Sequence, residues 1–175
     1  MNAVRYTAPA RLLHWLMAAL LIGLLALGFY MSDLPLSPEK LQLYAWHKWA
    51  GVTAFILLAI RLLWRATHRP PALPASMSAA AQRMAHLGHL ALYALMIAIP
   101  LSGWLMSSAK GFQTVYFGVL PIPDLLAKNP ELGELLATLH GGLNLLLVLT
   151  VLGHAAAALK HHFVDRDDVL RRMLP

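Results

Sequence analysis

The chain contains 175 residues, of which 59% are hydrophobic and only 13% are charged, a composition typical of a membrane domain rather than of a water-soluble core. The absence of cysteine excludes disulfides, iron–sulfur clusters and the covalently attached haem of c-type cytochromes, which needs a C-x-x-C-H sequence. The formal net charge of +6 is explained by attraction to anionic lipid headgroups, so nucleic acid is not expected as a partner.

Four apolar segments follow one another along the chain, and each exceeds the ~20 residues that a helix needs to span a bilayer. They cover about residues 9–32, 42–66, 83–107 and 132–162. The first is longer than the ~7–15 apolar residues of a secretory signal, and no A-x-A cleavage pattern follows it. We therefore predict an all-α integral membrane protein. It would be a four-helix up-and-down bundle forming a single domain over 1–175, with a short amphipathic cytoplasmic tail at about 163–175.

The connectors between these segments carry the signals that begin and end helices. Ser37 precedes Pro38, and Asn129 precedes Pro130. A side chain that can cap a helix, followed by proline in the first turn, predicts a helix start at each position. The third connector, from Ala109 to Pro130, contains several glycines and prolines and is predicted to be a broken, partly apolar loop.

Basic residues concentrate on one side of the predicted membrane. The N-terminus, the second connector with its flanks and the C-terminal tail hold ten of the fourteen basic residues and three of the eight acidic ones, a net charge of +7. The first and third connectors together carry a net charge of −1. Because basic loops stay in the cytoplasm, we expect a multi-pass protein of the bacterial inner membrane with both termini cytoplasmic.

Two histidines, His140 and His154, lie fourteen residues apart in the fourth apolar segment. At ~100° and 1.5 Å per residue, both rings leave one helix face and stand roughly 21 Å apart along its axis. The predicted orientation places His14 at the depth of His154, near the inner leaflet. It places His47 at the depth of His140, near the outer leaflet. Because a b-type haem with two axial imidazoles needs two histidines at one depth on facing helices, the quartet predicts an inner and an outer haem.

The histidine quartet could instead serve polar packing or a proton relay, because intramembrane ionisable groups are usually functional. A proton pathway typically includes acidic residues within the spans. Here all eight acidic residues lie in connectors or close to helix starts, which favours haem ligation. A compact metal site is disfavoured because it would need three or four converging ligands.

Three further histidines lie near the predicted inner haem. His86 and His89 lie at the start of the third helix. His161 lies at the end of the fourth apolar segment, seven residues after His154. They are candidates for a quinone site, although interfacial packing would place them equally well. His89 is also an alternative to His14 as the inner axial ligand.

Basic side chains near the predicted haems are candidate partners of the haem propionates. Arg11 and Arg61 lie at the inner side and Lys48 at the outer side. Each could equally be only a marker of membrane orientation.

Several short sequences together resemble the bacterial cytochrome b561 family. They are Ala10-Arg11-Leu12-Leu13-His14-Trp15, His47-Lys48-Trp49-Ala50-Gly51, His86-Leu87-Gly88-His89, His140-Gly141, and the stretch from His154 to His162. Each is weak alone, but their order and spacing are specific, and the likeness covers nearly the whole chain. The resemblance implies a dihaem cytochrome of the inner membrane whose four axial histidines are paired as above.

The same resemblance implies an activity and its partners. The cofactors would be two haem b, and electrons would pass between a periplasmic one-electron donor and the ubiquinone pool. The family is associated with superoxide oxidation, so the resemblance implies a quinone-linked oxidoreductase of the superoxide:ubiquinone type. The alternative is a cytochrome b subunit that anchors, and conducts electrons for, a larger respiratory dehydrogenase or a periplasmic redox partner.

Overall fold

A computed structural model of the chain describes residues 5–74 and 76–174. Four helices make up most of it: α1 (Ala8–Asp33), α2 (Pro38–Thr67), α3 (Ala79–Ala109) and α4 (Pro130–Lys160), with α4 continued by a π-helical turn at His161–Asp165. All four are long and apolar enough to cross a membrane, which confirms the predicted membrane helices. α2 begins at Pro38, where its cap predicted a helix start, four residues before the predicted apolar segment; α3 begins at 79 rather than at the predicted 83.

Side-chain caps fix the starts of three helices. The Ser37 hydroxyl accepts from the Lys40 N–H at 3.2 Å, and the Asn129 side chain accepts from the Leu132 N–H at 3.1 Å. Ser78 caps α3 in the same way. These caps satisfy backbone donors that have no partner within the first turn, and the sequence had indicated two of them.

The helices pack as two pairs, α1 with α2 and α3 with α4, joined by a smaller contact between α2 and α3. The buried apolar side chains are few and lie along these contacts; they include Met17, Leu58, Leu95 and Leu147. Many large apolar side chains are exposed, as expected where lipid rather than water covers the surface.

The third connector contains a short β-hairpin, where a loop was predicted. Val115–Tyr116 (β1) pairs antiparallel with Leu120–Pro121 (β2), and Gly118 adopts a positive φ of 72° in the turn. The hairpin is attached to α2, because the Trp49 indole N–H donates to the Val115 carbonyl at 2.7 Å. Two-residue strands are too short to produce a recognisable alternation of apolar and polar residues.

The C-terminal tail folds back against the start of α1. The Trp15 indole N–H donates to the Met173 carbonyl at 2.8 Å, and the Arg11 guanidinium donates to the Leu174 carbonyl at 2.8 Å. Arg172 donates to the Ala72 carbonyl of the second connector at 2.6 Å. We call this side of the bundle the terminal end and the opposite side, with the first and third connectors, the connector end. Pro175, the last residue of the predicted tail, lies outside the described residues.

Candidate functional site

His47 of α2 and His140 of α4 both lie toward the connector end of their helices. Each ring packs against a glycine of a neighbouring helix. A Cβ on Gly28 would stand 3.3 Å from His47 Cε1, and a Cβ on Gly103 would stand 3.1 Å from His140 Cε1. These glycines therefore make the space that the two imidazoles occupy.

Hydrogen bonds fix the orientation of the His140 ring. Its Nδ1 lies 3.1 Å from the Ile99 carbonyl and 2.9 Å from the Ser102 hydroxyl, which itself donates to the same carbonyl at 2.8 Å. A carbonyl only accepts, so Nδ1 carries the proton and Nε2 keeps a free lone pair. A metal-ligating histidine typically has this arrangement, in which a second hydrogen bond sets the tautomer.

The His47 ring has a buried Nδ1 without a hydrogen-bond partner among residues 5–74 and 76–174. An unsatisfied buried polar atom costs free energy, so its presence calls for an explanation such as a ligand. Gly51, one turn after His47 on the same face of α2, has open space where a Cβ would stand. The connector-end pair thus combines available imidazole nitrogens with room for a flat group.

Toward the terminal end, three histidines rather than two approach one another. The ring centres of His14 and His154 are 6.2 Å apart, and those of His89 and His154 are 5.5 Å apart. Two imidazoles on opposite sides of one metal, each ~2 Å from it, have ring centres roughly 6 Å apart. Both combinations are close to this value, so His154 is common to either pair.

Arg61 of α2 joins this cluster, which we call the terminal-end cluster (His14, His89, His154 and Arg61). Its Nη2 donates to His14 Nδ1 at 3.3 Å, and its Nε donates to the Tyr93 hydroxyl at 3.3 Å. A guanidinium has no acceptor, so Nδ1 of His14 accepts in this contact. An imidazole that binds iron through Nε2 carries its proton on Nδ1, so ligation by His14 in that way requires Arg61 to leave Nδ1.

The two other predicted propionate contacts are engaged elsewhere. Arg11 donates to the tail carbonyl of Leu174, and Lys48 donates to the Phe112 carbonyl of the third connector at 2.8 Å. Of the three predicted propionate contacts, Arg61 is the one that directly contacts a histidine of the quartet.

The histidines predicted for a quinone site are spread over the terminal end. His89 belongs to the terminal-end cluster, and His86 is exposed one turn before it on α3. His161 lies two turns beyond His154, and its Nδ1 donates to Asp167 at 2.6 Å and lies 3.2 Å from Asp165. Its polar contacts are thus with aspartates of the tail rather than with His86 or His89.

Sequence reasoning missed three residues of the connector-end site, Gly28, Gly103 and Ser102. It looked for small residues beside the histidines along their own helices, whereas these three contact the rings from neighbouring helices. Glycine and serine on a membrane helix indicate close helix contacts, but only the tertiary arrangement identifies the histidine as the partner.

These observations define a class: a four-helix membrane bundle with imidazole sets at two levels. Imidazole is a preferred ligand of haem iron, and the chain has no cysteine that could replace it. The open space at Gly51 beside the His47 ring and the free Nε2 lone pair of His140 fit a haem group.

The chain belongs to the prokaryotic cytochrome b561 family, whose sequence pattern matches residues 5–175. It is therefore a membrane b-type cytochrome with a role in electron transfer.

Three relatives are similar over much of their length. Cytochrome b561 homolog 2 of Escherichia coli (strain K12) is 37% identical over 97% of this chain and 91% of its own. The probable superoxide oxidase CybB of Yersinia pestis is 30% identical over 74% of this chain and 73% of its own. Cytochrome b561 homolog 1 of Escherichia coli (strain K12) is 27% identical over the same shares.

Proposed function

We propose that this cytochrome holds two haem b groups, one near each end of the bundle. His47 and His140 would be the axial ligands at the connector end, and His14 and His154 those at the terminal end. The observation that carries the proposal is the presence of imidazole sets at two levels: His140 and His154 share one face of α4, roughly 21 Å apart. When bound, haem iron supplies one-electron redox chemistry, and the chain holds and orients it.

Within the terminal-end cluster we favour His14 over His89 as the partner of His154. α4 packs chiefly against α3, the helix that carries His89, and helices in close contact leave little width for a macrocycle between their side chains. His14 lies on α1, across the bundle, as His47 of α2 does at the connector end. The 6.2 Å separation of the His14 and His154 ring centres also matches two ligands of one iron.

Arg61 is the strongest candidate for a propionate contact. It already lies beside His14, and a bidentate guanidinium is well suited to a carboxylate. Arg11 and Lys48 remain candidates that would have to exchange a backbone carbonyl for a propionate.

We further propose that the protein is a quinone-linked oxidoreductase of the bacterial inner membrane with both termini cytoplasmic. It would transfer electrons between a periplasmic one-electron donor and ubiquinone, and the name of the Yersinia relative makes superoxide a candidate donor. Quinone reduction consumes protons, and His161 can hold one at Nε2 while its Nδ1–H donates to Asp167. His86 and His89 complete the candidate quinone site on α3.

Haem stoichiometry tests the axial assignment. We expect about two haems per wild-type chain, and about one after His14→Ala, His47→Ala or His140→Ala, because each removes one ligand of one haem. His89→Ala should keep both, and serves as the matched control for His14→Ala. Two haems in His14→Ala and one in His89→Ala would reverse the terminal-end assignment. A colourless wild-type chain, purified after expression with ample haem supply, would overturn the proposal.

The alternative function, an anchor and electron conduit for a separate redox subunit, is favoured by one observation. The hairpin at the connector end exposes Phe117, Val119 and Leu120, with Val119 83% exposed. Exposed apolar residues in a connector suit a partner surface. Purified protein in lipid nanodiscs distinguishes the two functions, because an autonomous enzyme reduces quinone with a small-molecule donor, whereas an anchor is inactive alone.

A further inference from the structure

A basic groove opens at the terminal end, where α2 leaves the bundle next to α1 and α3. It is lined mainly by Arg61, Trp64, Arg65, His68, Arg69 and Tyr93, and we call it the terminal-end groove. Arg61 and Arg65 are four residues apart, so they lie on one helix face about one turn apart, and Arg69 follows just beyond the helix end.

The positive charge of the groove is not balanced by protein carboxylates. Over residues 5–74 and 76–174, the ion pairs within 4.0 Å include no arginine of the groove. The C-terminal end of α2 attracts cations, but its dipole is equivalent to only about half a negative charge. An anionic ligand would therefore be stabilised here.

Aromatic side chains hold the basic groups in place. The Trp64 and His68 rings stack with centres 3.8 Å apart and planes 5° apart, and the Trp64 indole N–H donates to the Thr7 hydroxyl at 2.9 Å. The Arg65 guanidinium lies 5.8 Å from the centre of the Tyr93 ring. A cation–π contact uses the face of the guanidinium and leaves N–H donors at its edge for an acceptor.

We propose that the terminal-end groove binds the phosphate headgroup of an anionic phospholipid. Arginines and a tryptophan at the end of an apolar span lie at headgroup level, and basic pockets between helices suit anionic headgroups. Ile60, one turn before Trp64 on the same face of α2, is 46% exposed and offers an apolar surface to the acyl chains. Arg61 contacts Tyr93 and is the candidate partner of a haem propionate, so Arg65, His68 and Arg69 would carry the headgroup.

The inference can be tested on the purified cytochrome, with its haem, after removal of bound lipid in detergent. Phosphatidylglycerol is titrated and bound lipid is counted by native mass spectrometry. We expect Arg65→Gln/Arg69→Gln to weaken binding roughly thirtyfold, since each surface charge contributes about a factor of five. Arg83→Gln/Arg171→Gln removes two charges from the same end of the bundle but outside the groove, and should change binding less than about twofold.

Four results would overturn the proposal. Equal weakening by both double variants would mean general attraction to a basic surface. Displacement of the lipid by millimolar inorganic phosphate would assign the groove to a free oxyanion, and equal affinity for phosphatidylcholine would exclude recognition of the anionic headgroup. Loss of haem absorbance in Arg65→Gln/Arg69→Gln, with retained helix content by circular dichroism, would assign the groove to the haem carboxylates.

Discussion

His140, a proposed iron ligand, shows how residues of a neighbouring helix can orient a single side chain. Ile99 and Ser102 of α3 both contact its Nδ1, and the packing of Gly103 sets how closely the ring approaches α3. A hydrogen-bond acceptor at Nδ1 increases the basicity of the ring and thereby favours oxidised iron. The properties of the proposed connector-end haem should therefore depend on α3, although its proposed ligands lie on α2 and α4.

Ser102→Ala should raise the midpoint potential of the connector-end haem. It removes one of two acceptors at Nδ1, and one hydrogen bond of about 1 kcal/mol corresponds to ~40 mV for one electron. A spectroscopic redox titration measures both haems in one sample. Ser108→Ala is the matched control, because the Ser108 hydroxyl donates to the Trp104 carbonyl and accepts from the Leu125 N–H, whereas the Ser102 hydroxyl accepts from His140. Equal potentials in wild type and Ser102→Ala would exclude an influence of Ser102 on the ring.

Gly103→Val should prevent binding of the proposed connector-end haem. A Cβ alone would stand 3.1 Å from His140 Cε1, and valine adds two further methyl groups. The His140 ring would therefore be displaced from its position. We expect about one haem per chain. Gly23→Val on α1 is the control: its Cβ would have no atom within 4 Å, so this variant should retain two haems per chain. Full haem content in Gly103→Val would contradict the proposed position of this site.

At the scale of the elements, hydrophobic length and caps were sufficient to predict the helices. Ser37 and Asn129 cap α2 and α4 as expected, because capping depends on residues a few positions apart. The β-hairpin and the folded-back tail could not be predicted. The hairpin depends on a bond from Trp49 to a residue 66 positions away, and the tail on bonds from Arg11 and Trp15 across more than 150 positions. Such long-range contacts leave no local periodicity.

The tail is bonded to Trp15, which packs against His14, a proposed ligand of the terminal-end haem. The Trp15 ring lies 5.2 Å from the His14 ring, and its N–H is held by the Met173 carbonyl. Trp15→Phe keeps an aromatic ring but removes this bond, so it should loosen the tail and shift the terminal-end haem spectrum or potential, leaving the connector-end haem unchanged. Trp46→Phe, an exposed tryptophan at the connector end, is the control. A change in both haems would indicate a general effect on the fold.

For the whole molecule, the sequence predicted two levels of histidines and gave His89 as an alternative to His14, but it did not predict that both would approach His154. Depth follows from the position along each helix, so His14 and His154 could be paired before the structure was known. The approach of His89 and Arg61 to the same place depends on how α2 and α3 are rotated about their axes, which helices with apolar residues on nearly all faces do not specify. The direction of the proposed electron transfer, from the periplasmic to the cytoplasmic surface or the reverse, depends in addition on the membrane orientation, which is predicted from charge alone.

Membrane orientation can be tested cleanly because the chain contains no cysteine. Leu36→Cys places a thiol in the first connector, where the side chain is 82% exposed, and Ser76→Cys places one in the exposed second connector. If basic connectors stay in the cytoplasm, a membrane-impermeant maleimide applied to intact spheroplasts should label Leu36→Cys and not Ser76→Cys. Both should react after the membrane is disrupted, which controls for accessibility. Labelling of Ser76→Cys alone in intact spheroplasts would show that the membrane orientation is the opposite of the predicted one. The His161–Asp167 pair would then face the periplasm, where it could not take up cytoplasmic protons for quinone reduction.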